Sequence, residues 1–92
     1  METYEVALAV TFDPPLTITR QQQAIECLEG LGPRSLEVEP ATCSVTLAVD
    51  AADSEAARNE AEFSVAHALA SAGHTMLTAP IRTASVRPAA PA

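Results

Sequence analysis

Ninety-two residues are enough for one domain around one core, and a chain this short buries only about 60 to 65% of its unfolded surface. Twelve acidic residues stand against five basic ones, all of them arginine. The formal charge of −7 opposes binding to phosphate backbones, so nucleic acid is not an expected partner. Hydrophobic residues make up 48% of the chain, but much of that is alanine, and Tyr4, Phe12 and Phe63 are its only aromatics. A thin core of this kind predicts further burial at an oligomer interface.

In chain order, Tyr4, Val6, Leu8, Val10 and Phe12 alternate with Glu5, Ala7, Ala9 and Thr11. That period of two predicts a strand over residues 4–12 with one apolar face. Asp13-Pro14-Pro15 ends it, because proline donates no ladder hydrogen bond. Thr19 followed by Gln22 has the form of a capping box, and Ile18, Ala24, Ile25, Leu28 and Leu31 recur at helical spacing. An amphipathic helix is expected over 19–30, stopped by Gly30, Gly32 and Pro33.

Leu36 and Val38 alternate with Glu37 and Glu39 over 35–39, and Pro40 closes this short strand. Cys43, Val45, Leu47 and Val49 alternate with Ser44, Thr46 and Ala48, which predicts a hairpin partner with one buried face. Asp50 or Asp53 can cap an alanine-rich helix over 54–72. Its expected apolar stripe is Ala61, Val65, Ala66, Leu69 and Ala72, and Gly73 stops it. Residues 75–86 turn to β-formers but contain Pro80, which is tolerated at a sheet edge or a bulge. The expected domain therefore spans 1–86, and residues 87–92 are expected to form a disordered tail.

Strand, helix, strand, strand, helix, strand is the split β-α-β order of a ferredoxin-like α+β fold. Right-handed crossovers then give a four-stranded antiparallel sheet of order 4-1-3-2 with both helices on one face. The two most apolar strands fall at the centre and the proline-bearing one at an edge, so local and global features agree. The face left open reads Glu5, Ala7, Ala9 and Thr11 against Ser44, Thr46 and Ala48. A solvated face usually carries long charged side chains, so this flat patch of small residues is the candidate interface.

The chemistry-bearing residues do not converge. Glu60, Ser64, His67 and Ser71 line one side of the second helix, but an exposed helix face offers neither an oxyanion hole nor a substrate cleft. His67 and His74 lie about 10 Å apart along a helix, too far to share one metal ion. Cys27 and Cys43 stand singly, outside any CxxC pair, and read as free thiols. The Gly-Leu-Gly-Pro run at 30–33 ends a helix instead of beginning one, so it is no phosphate loop. No cofactor, metal or catalytic residue is expected. The start of the chain lacks a basic region and no run approaches the ~20 apolar residues of a membrane span, which makes a cytoplasmic location the expectation.

Three roles fit this description. The first is a non-enzymatic protein-interaction or homodimerisation module that uses the open sheet face. The second is a small-molecule-binding regulatory domain of the ACT-like kind, with its ligand near Asp13 to Leu16 or Gly30 to Pro33. The third is a small acidic inhibitor, of the type phages use against host defences, that blocks a basic surface through Glu2, Glu5, Glu37 and Glu39. An enzyme of the dimeric α-β barrel type shares the size and topology, but fold does not fix chemistry.

Overall fold

The computed structural model describes residues 2–74 and 79–89. Its elements are β1 (Glu2–Thr11), α1 (Ile18–Glu29), β2 (Ser35–Val38), β3 (Thr42–Ala51), α2 (Ser54–Ser71) and β4 (Ile81–Pro88). The strands form one antiparallel sheet in the order β2-β3-β1-β4, the expected order read from its other edge. The succession and pairing are those of the ferredoxin-like βαββαβ arrangement.

The alternation that predicts β1 and β3 also joins them. Val6 faces Leu47, Leu8 faces Val45 and Val10 faces Cys43, and all six are buried. Ala24 and Leu28 of α1 close over this face together with Ala57, Ala61, Val65, Ala68 and Leu69 of α2. Alanine dominates the inner side of α2, so its backbone lies close to the sheet. The predicted stripe is shifted accordingly: Ala57 and Ala68 are buried, whereas Ala66 and Ala72 are half-buried.

The start of α1 differs from the capping-box expectation. Thr17, not Thr19, is the N-cap, and its hydroxyl accepts from the Arg20 N–H at 3.2 Å. The cause is Leu16, which is buried and donates its backbone N–H to the Pro40 carbonyl at 2.6 Å. With Leu16 taking the inward position before the helix, Ile18 is turned out and is 75% exposed. The second helix begins as one of the two anticipated caps requires, with the Asp53 carboxylate accepting from Ala56 N–H at 2.8 Å.

At the far edge, β4 begins at Ile81, after Pro80 and not around it. Pro80 lies just outside the ladder, its carbonyl accepting from Thr11 N–H at 3.2 Å. The expected strand residues 75–78 lie outside the described residues. Arg87 and Pro88, assigned to the tail by sequence, pair with Glu5 and Tyr4, and Ala89 N–H donates to the Thr3 carbonyl at 2.8 Å. Because β1 begins at Glu2, earlier than its alternation predicts, it offers ladder positions that hold the end of β4. Residues 90–92 of the expected tail lie outside the described residues. The β1–β4 register shifts between Ala7 and Leu8, leaving Ala84 as the extra residue of a β-bulge.

Candidate functional site: the open face of the sheet

Strand geometry sends successive side chains to opposite faces. With Tyr4, Val6, Leu8 and Val10 of β1 committed to the core, Thr3, Glu5, Ala7, Ala9 and Thr11 share the other face with Thr42, Ser44, Thr46, Ala48 and Asp50 of β3. The structure brings all seven residues of the predicted patch onto this surface. Ala9 pairs with Ser44, Ala7 with Thr46 and Glu5 with Ala48, so the small side chains form one continuous stripe.

The edge strands complete the face with residues that sequence reasoning does not assign to it. Register places Ser35 beside Thr46 and Glu37 beside Ser44 on the β2 side. On the β4 side it places Arg82 beside Ala9, Ser85 beside Ala7 and Arg87 beside Glu5. The surface therefore has a neutral middle, an acidic rim along β2 and a basic rim along β4. Arg87 is engaged within the chain, its guanidinium 3.4 Å from the Glu5 carboxylate. At the other end of the patch, the Thr3 hydroxyl donates to Asp50.

A second feature lies where β1 runs into α1. Asp13, Pro14, Pro15, Leu16, Thr17, Arg20, Gly73 and His74 line a cleft of about 300 Å³. His74 is buried beside Phe12, with ring centroids 5.4 Å apart, and its Nε2 has no hydrogen-bond partner among the described residues. Burial chiefly, and the Arg20 charge secondarily, push its pKa below the usual value. Nε2 is closed off from solvent, and Asp13, Thr17 and Arg20 contribute polar side chains to the lining of the cleft.

The remaining titratable groups are dispersed. Ser71 donates its hydroxyl to the His67 carbonyl at 3.2 Å, and the His67 ring stacks on exposed Phe63. Glu60 and Ser64 border a different hollow, beside Leu31 and Leu47. Cys43 is buried in the core, where desolvation pushes its thiol up to about 11, and Cys27 is half-buried. Among the described residues no group of three or more His, Cys, Asp or Glu side chains could hold a metal ion. No helix among them is long and apolar enough to cross a membrane.

Compared with known proteins, the chain matches no family model, no curated protein and no solved structure.

Proposed function

We propose that this chain is a non-enzymatic protein-interaction or homodimerisation module that docks through the open face of its sheet. The observation that carries the reading is the stripe of Ala7, Ala9, Ser44, Thr46 and Ala48 on the face opposite the helices. Side chains this short cannot screen the backbone as a row of lysines or glutamates would, and they let another layer approach closely. The edges are poor alternatives for docking. β2 has only four residues and carries Glu37, while β4 is bulged and ends in Pro88, features that discourage strand addition.

Replacing Ala7 with arginine puts a long charged side chain in the middle of the stripe without touching the core. The expected result is loss of association in sedimentation equilibrium, with an unchanged circular-dichroism spectrum. A folded Ala7→Arg protein that sediments like the wild type at every concentration, and keeps every partner the wild type binds, removes this reading.

The cleft supports a second reading, an ACT-like regulatory domain that binds a small molecule. It opens at the Asp13 to Leu16 segment and presents Arg20 beside the N-terminus of α1, a combination suited to a carboxylate or phosphate group. Thermal-shift titration with amino acids and nucleotides tests it. A rise in Tm that Arg20→Ala abolishes supports the cleft, and flat curves for all of them dismiss it.

A further inference from the structure

We infer that the partner of the open face is a second copy of this chain, packed sheet on sheet about a two-fold axis that runs along the strands between β1 and β3. The inference rests on the open-face reading above and adds a partner and a geometry to it. Reading across the strands, register aligns Glu37 of β2, Ser44 of β3, Ala9 of β1 and Arg82 of β4 in one row. The next row is Ser35, Thr46, Ala7 and Ser85. The first row has an acid at one end, a base at the other and small side chains between; the second has hydroxyls at both ends.

Glu37 and Arg82 are both exposed, and neither has an ion-pair partner among the described residues. Arg87, by contrast, is held by Glu5 of its own chain. Two charges of opposite sign thus stand at the two ends of one row, with three strand spacings, about 14 Å, between them. They are too far apart to meet within one sheet. They are well placed to meet between two.

A rotation of 180° about an axis parallel to the strands exchanges β2 with β4 and β3 with β1, and leaves each row at its own level. Glu37 of each copy then stands opposite Arg82 of the other, and the pair occurs twice, as an isologous interface demands. Ala9 meets Ser44, Ala7 meets Thr46 and Glu5 meets Ala48, so no long side chain opposes another in the middle. A two-fold axis across the strands would instead lay β2 on β2 and β4 on β4, so that Glu37 and Arg82 never face each other. The charge pattern therefore favours the axis along the strands.

Size agrees with position. Packed sheets lie about 10 Å apart with strands within about 30° of each other, so twisted sheets diverge toward their edges. In the two rows through Ala9 and Ala7 the shortest side chains occupy the middle, where the sheets approach, and Glu37 and Arg82 occupy the edges, while Glu5 on β1 lies one level further on and is paired with Arg87 of its own chain. The four strands, of 10, 4, 10 and 8 residues, present a flat area of roughly 500 Å² per copy, or about 1,000 Å² for the pair. That only reaches the threshold of about 1,000 Å² for a specific interface, so the dimer is expected to dissociate on dilution.

The test is a charge exchange followed by sedimentation equilibrium. Glu37→Arg and Arg82→Glu each place two like-charged pairs in the interface, and each alone should weaken the dimer by about tenfold or more. Mixed in equal amounts they should recover an association close to that of the wild type. In the mixed dimer the arginine introduced on one chain faces the glutamate introduced on the other, and at the second contact the native Glu37 faces the native Arg82. The double variant should recover as a homodimer. Circular dichroism confirms that each variant is folded. Wild-type dimerisation that is lost in Ala7→Arg but not restored by mixing would overturn the axis and leave the face standing. A wild-type chain that is monomeric at every concentration would overturn the second copy as partner.

Discussion

At the scale of single residues, His74 and Cys43 set opposite limits on stability. Burial first, and the Arg20 charge second, lower the folded pKa of His74 below the 6.5 of an unfolded histidine. The unfolded chain takes up a proton first as pH falls, and stability drops across the window from about 6.5 down to the lowered value. Tm should therefore decline as pH is taken from about 7.5 to about 5.5, and His74→Leu should remove that part of the slope; an unchanged slope in the variant would exclude His74 as its source. Cys43 acts with the reverse sign. Its thiol stays protonated to about 11 while the unfolded thiol ionises near 9.0, so its contribution is lost as pH climbs between those values. Cys43 is legible as a core residue from its place in the β3 alternation. The exchange of Leu16 for Ile18 is not, because both are apolar and only the contact of Leu16 with the β2–β3 turn distinguishes them.

At the scale of elements, the helix starts carry the clearest energetic consequence. Asp53 caps α2 with a short bond to Ala56 N–H, so Asp53→Ala should cost about 1 kcal/mol in urea denaturation, with a smaller loss for Thr17→Ala, whose bond is longer. Equal losses at the two positions would show that bond geometry does not control capping here. The two caps differ in how readily sequence reveals them. Asp53 follows a strand and precedes a run rich in alanine, which leaves few other places for the helix to begin. Thr17 and Thr19 are both followed by polar residues at the right spacing, and the decision is tertiary: burying Leu16 moves the N-cap from Thr19 to Thr17. Strand β4 is the least legible element. Pro80 obscures where it begins, and the long reach of β1 toward its own N-terminus adds two residues to its end.

At the scale of the whole molecule, the sheet order is readable because hydrophobic patterning and proline placement each restrict the centre and the edges. The middle of the open face is readable for the same reason, as the complement of two alternating strands. Its rims are not, since they depend on which residues of β2 and β4 stand beside Ala9 and Ala7, and register is a long-range property. With only about 1,000 Å² in the proposed pair, the average mass in sedimentation should climb gradually with concentration instead of stepping. The bulge at Ala84 bears on how this face can vary between related chains. It is the place in β4 where the chain can shorten by one residue while every neighbour keeps its side: without Ala84, Arg82, Ser85 and Arg87 still point outward and Val86 inward. A one-residue deletion in the middle of β1 would instead turn part of that strand inside out, sending alanines into the core and valines to solvent. Tolerance of a gap at 84, and intolerance of one at 7 or 8, is the pattern of length change this architecture permits.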